Sequence, residues 1–218
     1  TPAESEKSFD LGHGHQETYT VEYKKAEDGR HKQATEYFRV NPHRLNLGTI
    51  GLELRDAEGK AIAIKTLTGI RQEQHIYDGK VESQFRADGQ QVEVTTAALQ
   101  DLDAVIYRIK TQLLKDGRAR IALRFPYPSG KHADDAADWS KPEQHDSRII
   151  INSDNSAIVE RKIGDTRYNL TLQWEGRATL TQCDRHYFTL TTTDDVLAFQ
   201  ATYTPAGKAD NVSSATGT

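Results

Sequence analysis

The stretch Val81-Glu-Ser-Gln-Phe-Arg-Ala-Asp-Gly-Gln-Gln-Val-Glu-Val-Thr-Thr96 decides the fold class. On each side of Asp88-Gly89, apolar residues alternate with polar ones, which is the period of a strand with one buried face. An Asp-Gly pair supplies the positive φ angles that a tight turn between two such strands requires. The stretch therefore predicts an antiparallel β-hairpin.

The same signals recur along the chain on both sides of this hairpin. Gly164-Asp165-Thr166 separates two further alternating runs, and Ala104–Thr111 and Val196–Tyr203 are rich in β-branched and aromatic residues. About a dozen strands at roughly ten-residue spacing, without a helical pattern, are typical of a sandwich or barrel. The sequence therefore predicts an all-β, antiparallel, two-sheet sandwich in a single domain.

The ends of the chain differ in composition from its middle. Residues 1–16 are polar and contain His13 and His15, a pair without a convincing third ligand, so we predict a flexible N-terminal arm and no metal site. Residues 17–204 form the predicted sandwich domain. Residues 205–218 are small and polar, which indicates a linker or tail.

Composition excludes several classes of protein. The net charge is −4, and the basic residues are interspersed with acidic ones, which argues against nucleic-acid binding. No apolar run of about eighteen residues is present, so no membrane span is predicted. The chain contains no methionine, which suggests a processed protein, and we expect an exported, periplasmic or cell-surface location after removal of a signal. The single cysteine, Cys183, rules out an internal disulfide and is predicted to be buried.

A polar excursion interrupts the strands between Phe125 and Arg148. Pro126 and Pro128 end an apolar run, and the segment that follows gathers charged residues around one large aromatic ring. Such a combination suits a sugar, whose hydroxyl groups need donors and acceptors and whose C–H face stacks on a ring. The predicted carbohydrate-contacting residues of this loop are Lys131, His132, Asp134, Asp135, Asp138 and Trp139. The alternative is a solvated acidic loop with Trp139 folded back as a plug.

Two residues before the first predicted hairpin extend this candidate site. His43 and Arg44 follow Pro42 at a bend and can project toward the same rim as the loop. The alternative for Arg44 is a surface ion pair that bridges two strands.

Catalysis by the loop alone is not predicted. A glycosidase needs two carboxyl groups about 5 to 9.5 Å apart, and one of them needs a raised pKa. Asp134, Asp135 and Asp138, with His132 or His145 as an auxiliary group, can supply the residue types. A flexible, water-exposed loop does little to raise a carboxyl pKa, so no catalytic residue is assigned.

The order of motifs in the first half of the chain resembles a known family. Asn41-Pro-His-Arg-Leu-x-Leu-Gly-x-Ile-Gly-Leu52 precedes the hairpin that starts at Tyr77-Asp-Gly-Lys, and Asp101-Leu-Asp-Ala-Val-Ile-Tyr-Arg-Ile109 follows it. This order resembles the N-terminal β-supersandwich domain of six-hairpin glycosidases, as in glycoside hydrolase families 65 and 95 and their relatives in gut Bacteroidetes. The resemblance spans about residues 17 to 203, and the matching residues are Leu45, Gly48, Gly51, Asp103, Val105, Ile106 and Arg108.

The resemblance implies a galactose-mutarotase-like supersandwich, with catalysis carried out by a separate domain. In that family an (α/α)6 barrel carries the catalytic carboxylates, and these 218 residues contain no helical pattern for one. We therefore expect a non-catalytic accessory domain of a glycoside hydrolase, without cofactor or metal. It would pack on a barrel in the same or a neighbouring chain and lend residues 129–146 to the site for an oligo- or polysaccharide.

The alternative is a free-standing carbohydrate-binding or aldose-mutarotase-like module. Related mutarotases use a histidine and a glutamate for proton transfer at the sugar ring. The candidates for such a pair are His75, His145 and His186, with Glu160 or Glu175 as the base.

Overall fold

The computed structural model describes residues 6–20, 33, 45–130 and 135–207, and these are mainly antiparallel β-strands. The predicted all-β fold is confirmed. The strands are β1 (Glu6–Asp10), β2 (Gln16–Thr20), β3 (Thr49–Leu54), β4 (Thr68–His75), β5 (Lys80–Ala87), β6 (Gln90–Ala98), β7 (Ala104–Lys110), β8 (Ala119–Arg124), β9 (Tyr127–Pro128), β10 (Ala137–Asp138), β11 (His145–Asn152), β12 (Ser156–Ile163), β13 (Thr166–Trp174), β14 (Ala178–Asp184), β15 (Tyr187–Thr192) and β16 (Val196–Pro205). The described helical elements are α1 (Gln112–Lys115) and two 3₁₀ turns, Ile64–Thr66 and Pro142–Gln144.

The chain divides into two compact units, where the sequence predicted one domain. The first unit comprises Thr1–Leu45 and Pro128–Asp138, and the second comprises Asn46–Tyr127 and Trp139–Thr218. The polar segment after Pro128 closes on itself: the Ser129 N–H donates to the Ala136 carbonyl at 3.0 Å, and the Ser129 hydroxyl donates to the Asp135 carbonyl at 2.6 Å. Local hydrogen bonds of this kind set the segment apart from the strands of the sandwich.

In the first unit, β1 and β2 form a hairpin that overlaps the predicted flexible arm of residues 1–16. The turn uses Gly12 and Gly14, both at positive φ. The rings of Phe9 and Tyr19 face each other across the hairpin, with centroids 5.9 Å apart. Residues 6–16 of the predicted arm thus lie in a local hairpin, which has two glycines in its turn and one aromatic pair across its strands.

The second unit contains two antiparallel sheets. The large sheet has the strand order β11-β12-β13-β16-β7-β6-β5-β4, and the small sheet has the order β14-β15-β8-β3. The hairpin of β5 and β6 that decided the fold class is present, with Ala87 opposite Gln90 and positive φ at Asp88 and Gly89. The hairpin predicted at Gly164 also forms, since Ile163 pairs with Thr166.

The inner faces of the two sheets share one hydrophobic core. Phe125 and Phe188 meet there edge to face, with ring centroids 5.8 Å apart. Each fully buried leucine or valine of this core contributes roughly 1.5 to 3 kcal/mol relative to an exposed one. Buried side chains from both sheets include Val92, Ile109, Leu123, Val159, Leu170, Leu172, Leu190, Leu197 and Phe199.

One local detail differs from the sequence prediction. Cys183 is exposed, not buried, because it lies at a register shift of β14 between Gln182 and Asp184 that interrupts the strand's alternation. At the other end of the predicted sandwich domain, β16 ends at Pro205, and residues 208–218 lie outside the described residues.

Candidate functional site

The described part of the predicted site is its second half. His43, Arg44, Lys131, His132 and Asp134 lie outside the described residues. Asp135 is exposed, and its Oδ1 accepts a hydrogen bond from the Ala137 N–H at 3.0 Å, so this carboxylate shapes its own turn. Asp138 is half-buried in β10. Trp139 is 54% exposed, so this ring is not a plug folded into the core.

The residues that follow Trp139 are anchored to the sandwich. Lys141 lies with its Nζ atom 5.5 Å from the centre of the Tyr127 ring, and Pro142 opens a 3₁₀ turn. His145, which the sequence placed in the loop, is instead the first residue of β11 and pairs with Ile163. The excursion therefore ends three residues earlier than predicted, because the β11–β12 ladder begins at His145.

A buried arginine organises this anchor. Arg161 of β12 is fully buried, and its guanidinium lies over the Phe125 ring at 5.0 Å. Its Nη1 group donates to Nδ1 of His145 at 2.6 Å and to the Ser147 hydroxyl at 2.7 Å. Its Nη2 group donates to the Pro126 carbonyl at 3.0 Å. These acceptors are neutral, so hydrogen bonds to neutral groups, and not to a carboxylate, offset the cost of burying this cation.

The hydrogen bonds continue in one direction from Arg161 to the 3₁₀ turn. The Ser147 hydroxyl lies 2.7 Å from Nδ1 of His186, and Nε2 of His186 lies 2.8 Å from the Pro142 carbonyl. A carbonyl only accepts, so Nε2 of a neutral His186 carries the proton and Nδ1 accepts from Ser147. This chain ties the turn that follows Trp139 to the centre of the sandwich.

The two histidines of the cluster stack on each other. The rings of His145 and His186 are nearly parallel, with centroids 3.7 Å apart. Burial, assisted by the charge of Arg161, lowers the pKa of His145 to about 4. Burial also lowers the pKa of His186, against the opposing effect of its hydrogen bond to Pro142. Both imidazoles are therefore neutral at pH 7, which suits close stacking beside a buried cation.

This cluster does not supply the histidine and glutamate pair of a mutarotase-like module. Glu160 neighbours Arg161 on β12, so its side chain points to the opposite face of the sheet, where it pairs with Arg148 at 2.8 Å. His75 lies elsewhere, on β4, and contacts Glu82 at 3.3 Å. Glu175 follows β13, and its backbone N–H donates to the Ala198 carbonyl. The cluster of His145, Ser147, Arg161 and His186 is suited to holding the loop in place, since its hydrogen-bond donors and acceptors are paired with one another.

Sequence reasoning missed Arg161 and Ser147 as the centre of the anchor. A readable signal was present: Ala157, Val159, Arg161 and Ile163 occupy alternate positions of one strand, and only one of them is charged. A charge at an inward position of an alternating strand indicates a buried polar network.

A second group that sequence reasoning missed lies on the small sheet. Glu53 of β3 accepts hydrogen bonds from Nε of Arg120 at 2.8 Å, from Nη2 of Arg124 at 2.7 Å and from the Tyr187 hydroxyl at 2.7 Å. Burial raises the pKa of Glu53, but the hydrogen bonds from Arg124, Tyr187 and Arg120 outweigh it and lower the value to about 2. The Arg124 guanidinium lies 4.0 Å above the Tyr187 ring. These side chains form a charged platform at the surface.

An open cleft of about 650 Å³ lies at the turns that follow β11, β13 and β15. Its lining is rich in hydroxyl and charged groups and contains no aromatic side chain, so it offers no ring on which a sugar can stack. Lining residues include Asn152, Asp154, Arg177, Thr179, Thr191 and Thr193. Arg177 at its rim pairs with Asp194 at 2.9 Å.

The described residues contain neither a metal-binding group nor a membrane-spanning helix. Nowhere in them do three or more His, Cys, Asp or Glu side chains gather as a metal-binding group. His15, one of the two histidines of the predicted arm, contacts Glu17 instead, with Nε2 3.2 Å from Oε1. Within the same residues, no helix is long and apolar enough to cross a membrane.

The sequence matches no protein-family model and shows no significant similarity to a curated protein.

Proposed function

We propose that the chain is a non-catalytic accessory domain of a glycoside hydrolase, which packs on an (α/α)6 catalytic barrel and contributes the segment 129–146 to its carbohydrate site. The class comes from the resemblance of the motifs between residues 41 and 109. The observation that carries the proposal is Trp139: a large ring, 54% exposed, at the start of a segment fixed to the sandwich.

The anchoring supports a binding role because rigid aromatic rings bind sugars at low entropic cost. The hydrogen-bond chain from Arg161 through Ser147 and His186 to Pro142 holds the turn that follows Trp139. Lys141, beside the Tyr127 ring, places a hydrogen-bond donor near the same turn. Because the segment is already held in place, little of its conformational entropy is lost when a ligand binds.

Exposed apolar side chains support docking on a partner domain. They lie in or next to β4, an edge strand of the large sheet: Ile64 precedes the strand, Ile70 lies in it, and Ile76 and Tyr77 follow it, with exposed fractions of 83%, 65%, 80% and 96%. Large exposed apolar residues along an unpaired edge are typical of a protein interface. The accessory-domain role therefore has a surface for its partner as well as a ring for its sugar.

Calorimetric titration and a glycan array test the sugar-binding part of this proposal. We expect millimolar or tighter binding of an oligosaccharide that Trp139→Ala weakens by about tenfold or more, since aromatic anchors dominate such contacts. Tyr77→Ala is the matched control, because it removes another exposed aromatic, in the turn after β4. No binding to any glycan, or equal loss in both variants, contradicts the proposal.

Fluorescence gives a second readout that does not depend on affinity. The chain has two tryptophans, and Trp174 is buried with its indole N–H bonded to the Asp154 carbonyl at 3.0 Å. Ligand should therefore shift the emission of the native chain to shorter wavelength and leave Trp139→Phe unchanged. The free-standing module remains the alternative: binding by this chain that an added (α/α)6 barrel does not strengthen favours it, and binding that such a barrel strengthens favours the accessory domain.

A further inference from the structure

The charged platform on the outer face of the small sheet has a defined geometry. In the ladder of β3 and β8, Glu53 lies opposite Arg120 and Thr49 lies opposite Arg124, so both arginines project from one face. Glu53 bridges them, with Oε2 toward Arg120 and Oε1 toward Arg124. Tyr187 of β15 lies opposite Arg124 and donates to the same carboxylate. One carboxylate thus holds two guanidinium groups on the same face of the sheet.

The platform carries a net positive charge. Two guanidinium groups face one carboxylate, which remains ionised at neutral pH. Within the described residues, the Nη groups of Arg120 and the Nε and Nη1 groups of Arg124 donate no hydrogen bond. Arg118, which directly precedes β8, is already paired with Asp88 and Asp116. Of these three arginines, Arg120 and Arg124 are the two with donors to spare among the described residues.

The surface over Gly51, beside the two arginines, is open. Gly51 lies opposite Ala122 in the ladder, between the Arg120 and Arg124 pairs. A Cβ atom at Gly51 would meet nothing within 4 Å, so the space above the glycine is open. The Glu53 carboxylate lies between the guanidinium groups, so a ligand can approach over Gly51 of β3, beside the bridged pair and not between its members. The side chains that border this space are already positioned by Glu53 and Tyr187, so little side-chain entropy is lost on binding.

The platform adjoins the anchored loop along the chain. Tyr187 directly follows His186, and Arg124 directly precedes Phe125, whose ring lies under Arg161.

We propose that this platform binds an acidic polysaccharide through its carboxylate or sulfate groups. The inference rests on the proposed carbohydrate function and adds the charge class of the ligand. Guanidinium groups bind carboxylate and sulfate oxygens in paired, parallel hydrogen bonds, which gives this platform its selectivity over neutral sugars. A nucleic acid is the less suitable polyanion, because two arginines in a chain of net charge −4 neutralise too few phosphates.

Binding of matched polymer pairs tests the charge class. The probes are polygalacturonate oligomers and their carboxyl-reduced neutral counterparts, dextran sulfate and dextran, and single-stranded DNA. We expect at least one acidic sugar polymer to bind about tenfold more tightly than its neutral partner, and the affinity to fall as salt is raised. The carboxylate and sulfate arms separate the two sources of negative charge. Tighter binding of DNA than of either acidic sugar overturns the inference.

Single-arginine variants assign the binding to the platform. Arg124→Gln removes a 47%-exposed side chain, and we expect about tenfold weaker binding of the acidic probe. The matched control is Arg148→Gln, which also removes one exposed arginine paired with one glutamate. We expect the control to change affinity less than twofold. Equal effects of the two variants indicate nonspecific attraction and refute the inference.

Magnetic resonance provides a readout that needs no variant. The side-chain Nε–H signals of Arg120 and Arg124 should shift on addition of the acidic probe, with saturation at the concentration that calorimetry gives. Absence of any shift refutes the inference even if the chain binds the polymer elsewhere. If neutral sugars bind through Trp139 and acidic ones bind no better, the proposed function stands and this inference fails. If the acidic probe binds through Arg124 while Trp139→Ala has no effect, the inference stands and the role of the loop fails.

Discussion

Replacing His145 with glutamine should remove much of the acid sensitivity of the fold. His145 is 4% exposed and accepts a hydrogen bond from Arg161 at 2.6 Å. A glutamine carbonyl can accept the same hydrogen bond but cannot gain a proton. The variant therefore keeps the neutral contact and loses the titration.

The direction of the effect follows from the pKa of His145, which falls from 6.5 to about 4 on folding. The unfolded chain binds a proton in this interval and the folded chain does not, so stability decreases as the pH falls from about 6.5 to about 4. The loss amounts to about 2 kcal/mol between about pH 7 and pH 5, and about 3 kcal/mol by about pH 4. His186, whose pKa burial also lowers, adds in the same direction.

Urea unfolding at a series of pH values measures this contribution. The native chain should lose about 2 kcal/mol more stability than His145→Gln between about pH 7 and pH 5, a range above the titration of most carboxyl groups. His75→Gln is the control for the loss of one imidazole. His75 lies on β4 and contacts Glu82 of β5, and it does not contact Arg161. Nuclear magnetic resonance of the His145 ring gives its pKa directly. An ordinary pKa for that ring, or identical pH dependence in the native chain and His145→Gln, would falsify the reasoning.

Two further predictions concern the small sheet. Glu53→Gln should cost about 1 to 2 kcal/mol at neutral pH, after allowance for solvent screening, because the pKa of Glu53 falls from 4.5 to about 2; the difference from the native chain should shrink as the pH drops through that interval, and urea unfolding at pH 7 and pH 3 checks it. Gly48→Ala should cost about 2 to 4 kcal/mol, because Gly48 has φ +126° and a Cβ there would lie 2.7 Å from the buried Phe125 ring. Gly51→Ala, where a Cβ meets nothing, should change the melting temperature little; equal melting temperatures for the two variants would contradict this account.

Local patterns predicted the strands and the tight turns well. Asp88-Gly89 and Gly164-Asp165 form the expected two-residue turns because positive φ is a property of the residue itself. The same logic does not extend to packing, since a glycine inside a strand, such as Gly51, does not reveal whether anything packs above it. Gly48 and Gly51 look alike in the sequence, and only the position of Phe125 distinguishes them.

The candidate site was predicted only in part. Trp139 was identified from its setting in a polar loop, and it is exposed. His145 and His186 were named as residues that can meet across a sheet, and they do stack, but they stack beside Arg161 and without a glutamate. Their forty-residue separation carries no signal of contact, because contact across two sheets depends on the packing of both.

The sequence by itself determined that this chain forms antiparallel strands with one apolar face each, and where the tight hairpins turn. These properties depend on the period of side chains along a strand and on the φ preference of single residues. The tertiary structure decided which strands became neighbours, which brought Glu53 between Arg120 and Arg124 and closed the hydrogen-bond chain from Arg161 to Pro142. Sheet order follows from the joint burial of distant segments, and a local pattern contains no information about that partner choice.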